Sequence, residues 1–175
     1  GPGEFGGAFF SIRAYHAVLP WLVLAGRVMV EMLAGDVPFY EMVHWRGSIP
    51  AAGFGGFETL RGVSFGRWRA PSKAVANAEL RFRLGEHSLF RRSAVWQLGV
   101  FCDAGIVWGA GDQATAPNPD FPVHISGGLG IRLVFDNSFV GRIDAGLSND
   151  PVREESGQIS NELQYGIYVV FDHAF

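Results

Sequence analysis

The residues able to do covalent chemistry are few and scattered. His16, His44, His87, His124 and His173 fall on five separate stretches, no Gly-x-Ser-x-Gly elbow occurs, and Ser11, Ser64 and Ser126 have no evident base beside them. A serine nucleophile needs a base within hydrogen-bond reach, so hydrolysis would require a Ser–His pair created by folding alone, and the expectation is a chain that is not an enzyme. Cys102 is the single cysteine. It cannot form an intramolecular disulfide, and with no suitable His cluster it does not suggest a zinc site, so no metal and no cofactor is expected. A net charge of −3 and a pI near 5.9 give no basic field to hold a phosphate backbone, which removes nucleic acid from the expected partners. What remains is arginines and carboxylates distributed along apolar stretches, suited to ion pairing more than to turnover.

The elements that carry these charges read as strands. Apolar residues make up 48% of the 175 and charged residues 18%, enough for a sizeable core. Fifteen Phe, five Trp and four Tyr beside 24 Gly favour strands and tight turns. Period-two alternation gives about eight candidate strands, over 9–19, 21–33, 38–45, 75–84, 94–108, 123–135, 139–148 and 162–175. The opening Gly1-Pro2-Gly3-Glu4-Phe5-Gly6-Gly7 reads as a protease-cleavage and cloning scar, which leaves 8–175 as one domain with a long loop over 46–74. No run reaches the roughly 18–20 apolar residues of a spanning helix, because Arg13, Arg27 and Glu31 interrupt. A membrane crossing would therefore use strands closed into a barrel. The links at 35–36 and 136–138 are tight, and those at 48–74, 109–122 and 149–161 are long, as in outer-membrane barrels with short periplasmic turns and long outer loops. The short link near 19–21 breaks this alternation.

Each strand sorts its residues onto two unlike faces. Leu98, Val100, Cys102, Ala104, Ile106 and Trp108 oppose Gln97, Gly99, Phe101, Asp103 and Gly105; Leu129, Ile131, Leu133 and Phe135 oppose Gly128, Gly130 and Arg132. Ile143, Ala145 and Leu147 oppose Arg142, Asp144 and Gly146, and Leu163, Tyr165, Ile167, Val169 and Phe171 oppose Gln164, Gly166, Tyr168, Val170 and Asp172. One face is nearly free of charge, and the other holds glycines and ions. A soluble sandwich alternates in the same way. Strand length separates the two, since many candidates reach the roughly 9–11 residues needed to span a bilayer at a tilt. Aromatics near strand ends, among them Phe9, Phe10, Trp21, Phe39, Trp108, Phe135, Phe139 and Phe175, match an interfacial girdle.

Several segments resemble, in order, those of the bacterial surface-antigen family, the outer-membrane assembly-factor barrels of the BamA/TamA type. They are Val37-Pro38-Phe39-Tyr40-Glu41-Met42; Leu60-Arg61-Gly62-Val63; Asn77-Ala78-Glu79-Leu80-Arg81-Phe82; Phe101-Cys102-Asp103-Ala104-Gly105; Gly128-Leu129-Gly130-Ile131-Arg132; and Gly141-Arg142-Ile143-Asp144-Ala145-Gly146. Val63 stands where the family usually has an aromatic. The resemblance runs from about Phe9 to the end and implies an all-β, antiparallel transmembrane barrel in the bacterial outer membrane, with lipid as partner and outer-membrane proteins as clients. It also implies that the loop carrying Leu60, Arg61 and Gly62 folds back into the lumen. By face assignment Glu79, Asp103 and Asp144 are then the available partners for Arg61, whose guanidinium would be costly to bury without a carboxylate. The ending is similar to the family's terminal signal: Gln164, Gly166, Val169 and Phe171 carry the pattern and Phe175 supplies the final aromatic.

Family barrels have about sixteen strands, twice the number expected here. A closed ring of about eight has an interior just filled by side chains. Either the Arg61 loop lies outside, or the strands do not close alone. Two copies joined at their edges would restore a family-sized barrel, since open edges in lipid are costly. Three readings of function follow: assembly and insertion of outer-membrane proteins through a weak seam between the first and last strands, with Gly166 loosening the latter; a passive membrane scaffold or anchor; and a soluble carrier barrel.

Overall fold

A computed structural model describes residues 3–45, 53–89, 91–109, 123–136, 139–148, 152–153, 159–160 and 163–173. Seven long strands form one antiparallel sheet: β1 (Phe5–Leu19), β2 (Leu22–Gly35), β3 (Ser72–Leu89), β4 (Arg92–Trp108), β5 (His124–Phe135), β6 (Phe139–Ser148) and β9 (Gln164–His173). The two-residue strands β7 (Val152–Arg153) and β8 (Ile159–Ser160) pair with each other in the connection from β6 to β9. Each long strand has 10 to 18 residues, against about 5 to 6 in soluble proteins.

Two expectations change. The segment 38–45, expected as a strand, instead carries a short helix, α1 (Phe39–Met42). Gly35 at φ +95° turns the chain out of the sheet where a Cβ would strike the Glu4 carbonyl, and Pro38, which has no N–H to give a ladder, caps the helix. The first strand also begins at Phe5, so residues 5–7, set aside as part of a scar, pair with Leu33, Ala34 and Gly35 of β2.

Without a strand at 38–45 the connections alternate strictly. Short links join β1 to β2, β3 to β4 and β5 to β6, whereas long ones join β2 to β3, β4 to β5 and β6 to β9. All short links therefore lie on one rim and all long ones on the other. The link at 19–21 fits the alternation because the chain is helical at Phe39–Met42 and adds no strand to the sheet there.

The closed eight-strand barrel is not observed. Among the described residues the sheet is open, with β1 and β9 at its edges. Six antiparallel pairings separate these strands. Each pairing reverses direction, so β1 and β9 run the same way. Joining them would create a parallel seam, which an all-antiparallel ring does not contain.

The face expected to be charged is the buried one. Glu79, Asp103 and Asp144 are at most 7% exposed, whereas Leu129, Ile131 and Ile143 are at least 50% exposed. Segment 53–70 of the long loop covers this inner face. Near the long-link rim the contact is apolar: Phe54, Leu60, Val63, Trp68 and Ala70 of the loop, with Trp45, pack on Met29, Val75 and Val107. Glycines and ions thus line only part of the interior. The apolar layer was visible in Val75, which shares the parity of Asn77 and Glu79.

Candidate functional site

Below that apolar layer the loop reaches its Arg-Gly turn, which lies on an ionic patch built by five strands, β2 to β6. The Arg61 guanidinium binds Asp103 of β4 through two hydrogen bonds, Nε to Oδ2 and Nη2 to Oδ1, each 2.9 Å, and its backbone N–H gives a third to Oδ2 at 3.1 Å. Nη1 donates to Glu79 of β3 at 3.1 Å and reaches Asp144 of β6 at 3.5 Å. The Phe101 ring lies against the guanidinium, 3.4 Å from Cζ to centroid. Planar two-toothed pairing stacked on an aromatic is what guanidinium geometry supports and an ammonium cannot match. Burial works to lower the Arg61 pKa, but the Asp103 hydrogen bonds and the three carboxylate charges outweigh it and raise the value, so the cation persists at any ordinary pH.

A second set of residues holds these partners. Asn77 Nδ2 donates to Asp103 at 2.8 Å and to the Thr59 carbonyl of the loop at 2.7 Å, while its own oxygen accepts from Arg27. Glu79 also pairs with Arg132 at 2.6 Å and Arg81 at 3.0 Å, and Arg142 approaches Asp144 at 3.7 Å and Glu58 of the loop at 3.4 Å. Five arginines (27, 61, 81, 132 and 142) thus face four carboxylates (58, 79, 103 and 144), a near balance without which such burial would be prohibitive.

Glycines make the seat. Gly62 has φ +100°, and a Cβ there would lie 2.8 Å from the Leu147 backbone; a Cβ on Gly146 would lie 2.6 Å from the Arg61 carbonyl carbon. Gly105 gives the same clearance to Phe54 and Leu60. The inner-face glycines that looked merely small in the sequence are where the loop touches the wall.

All three expected partners, Glu79, Asp103 and Asp144, therefore converge on Arg61, with Leu60 and Gly62 seated beside it. The terminal residues divide. Tyr168 of β9, outside the pattern read from the sequence, meets the turn: its hydroxyl accepts from the Gly62 N–H at 3.0 Å and donates to the Val63 carbonyl at 3.3 Å. Gly166 provides the space its ring fills. Gly166 pairs in register with Gly146, and no register shift occurs there. Gln164 lies near Ser64 Oγ at 3.4 Å. Val169 and Phe171 are exposed on the outer face, and Phe175 lies outside the described residues.

Sequence reasoning also missed a second tie. Lys73 and Glu31, cross-strand partners on β3 and β2, are both fully buried with Nζ to Oε2 at 2.6 Å. Lys73 donates to the Met42 carbonyl at 3.3 Å and lies 5.2 Å from the Trp45 ring centroid, which fixes the start of the loop as Arg61 fixes its turn. The signal was two opposite charges within apolar strands. Among the described residues no group of three or more His, Cys, Asp or Glu is arranged to hold a metal ion. Compared with family models, with curated proteins and with solved structures, the chain has no significant match in any of the three.

Proposed function

We propose that this chain forms part of the wall of a bacterial outer-membrane β-barrel related to the protein assembly and insertion factors, with its Arg61 loop latched inside the lumen. The single observation that carries the reading is the inverted distribution of polarity: the charged, glycine-rich face is buried beneath the loop while the apolar face stands exposed on every long strand. Exposed apolar surface of this extent is costly in water and ordinary in hydrocarbon. Its dimensions agree. Trp96 and Trp108 stand 12 residues apart on the outer face of β4, about 40 Å along the strand and about 30 Å across a bilayer at a tilt near 40°. Trp21, Phe139 and Phe171 are exposed toward the short-link rim, where a girdle would lie.

Tryptophan fluorescence in vesicles of brominated phosphatidylcholine tests the reading. Variants retaining only Trp96 or only Trp108 are expected to be quenched, more by bromines near the headgroups than by bromines deep in the chains. Monodisperse protein in plain buffer, with neither tryptophan quenched by added vesicles, would overturn it.

A passive scaffold or anchor is the second reading, and the density of the ionic latch favours it, because a wall fixed by this many buried pairs resists rearrangement. Release of the loop while a client protein inserts would support the assembly role over the anchor.

A further inference from the structure

Charge on the inner face is unevenly matched, and the excess lies beyond the reach of the docked loop. Glu58 of the loop meets Arg27 of β2, and past it Ser11, Arg13 and Tyr15 of β1 are exposed. Arg13 lies directly opposite Arg27 in the register, a like-charge pair that disfavours the sheet. Arg13 makes no hydrogen bond or ion pair among the described residues. It is therefore a sixth arginine beside the five that already face four carboxylates. Arg81, on the same face, gives Glu79 only its Nε, and Glu79 is shared with Arg61 and Arg132. The Arg81 guanidinium stands 5.4 Å from the centroid of the Tyr15 ring, and the Tyr15 hydroxyl has no hydrogen-bond partner among the described residues.

These three donors can meet on one ligand. The register Arg13, Arg27, Asn77 puts Arg81 two strands and four residues from Arg13, about 10 Å across the strands and about 13 Å along them, with Tyr15 between. Extended arginine side chains close such a gap onto a small group, and guanidinium forks match the oxygens of phosphate. An excess of two positive charges calls for two negative ones, where a carboxylate supplies one. We propose that Arg13, Tyr15 and Arg81 bind a dianionic phosphate group on the inner face, the two guanidiniums and the phenol each donating to its oxygens. Two sources share that chemistry. One is free phosphate; the other is a lipid phosphomonoester at the short-link rim, since Arg81 is two residues from Arg83, whose N–H binds the Trp21 carbonyl of the β1–β2 turn. The site goes beyond the membrane-wall reading, because it stands on inner-face charges and not on what bathes the outer face.

Calorimetric titration of inorganic phosphate into the full chain with phosphatidylcholine vesicles, at constant ionic strength set by chloride, tests the site. Arg13→Gln and Arg81→Gln are each expected to weaken binding about tenfold, the loss of a charge-assisted hydrogen bond, and Tyr15→Phe by a smaller factor. Arg92→Gln, which removes an exposed arginine paired with Asp136 at the short-link rim, is expected to leave binding unchanged. Thermal unfolding supplies a readout with the opposite sign. Without phosphate, Arg13→Gln is expected to be at least as stable as the unaltered chain, since it removes the repulsion from Arg27; with phosphate, only the unaltered chain gains. Vesicles doped with phosphatidic acid separate the sources: competition with inorganic phosphate that is lost in Arg13→Gln assigns the site to a lipid headgroup, and an unchanged titration assigns it to free phosphate. No binding of phosphate in either form, equal weakening by Arg92→Gln, full binding by Arg13→Gln, or destabilisation by Arg13→Gln in the absence of phosphate would each overturn the proposal.

Discussion

At Arg61 the energetics turn on which carboxylate loses most when the guanidinium is removed. Glu79 keeps Arg132 and Arg81, and Asp144 keeps Arg142 nearby, whereas Asp103, fully buried, keeps the Asn77 amide as a hydrogen bond and only the more distant charge of Arg27. Stranding a buried charge costs about 3–5 kcal/mol, so Arg61→Ala is expected to destabilise by that order in guanidinium unfolding. Adding Asp103→Asn removes the stranded charge, and the double variant is expected to recover about 2 kcal/mol relative to additivity. Additive losses would mean that Asp103 is not the partner that matters. Strand parity alone placed Asp103 and Asp144 on the inner face, and the resemblance brought Arg61 to them. Tyr168 was not legible as a partner, because a tyrosine on an alternating strand carries no mark that its hydroxyl bridges Gly62 and Val63.

At the scale of elements, the sheet and the loop are joined by shape as much as by charge. The loop rests where Gly105 and Gly146 leave room, so a side chain there should lift it without unfolding the strands. Gly146→Val is expected to raise tryptic cleavage at Arg61, Arg67 or Arg69 by about an order of magnitude, since access to a docked segment follows its local opening. Gly141→Val, on the outer face with its nearest neighbour 3.6 Å from the added Cβ, is the matched control and should leave cleavage unchanged. Equal resistance of both variants would show that the glycines do not form the seat. The long strands were readable from period two, and their faces from the same parity. The segment 38–45 misled because Val37, Phe39 and aromatic neighbours mimic alternation, while the signal against it, a proline just past a glycine, is a local backbone constraint that hydrophobic pattern does not register. The loop's apolar contacts carry no period, so nothing in the sequence paired Phe54 or Leu60 with Met29, Val75 and Val107.

At the scale of the whole molecule, two solvents compete for the outer face, and one substitution distinguishes them. Ile131 lies at the middle of the sheet, paired with Leu98 on one side and Ile143 on the other, and is half exposed. If water bathes that face, Ile131→Arg changes an exposed side chain and stability moves by no more than about 0.5 kcal/mol. If hydrocarbon bathes it, the same change puts a guanidinium near the midplane and costs about 2–4 kcal/mol. Leu163, on the same face beside the long-link rim and 67% exposed, supplies the depth control: Leu163→Arg is expected to cost only about 0–1 kcal/mol near an interface. Reversible unfolding by guanidinium in vesicles measures both. A loss of about 2–4 kcal/mol for Ile131→Arg with a small one for Leu163→Arg points to a depth-graded apolar medium, because a half-exposed site bathed by water would lose no more than about 0.5 kcal/mol. A neutral Ile131→Arg would remove the membrane from the account of this fold and leave the exposed apolar strands to be covered by protein.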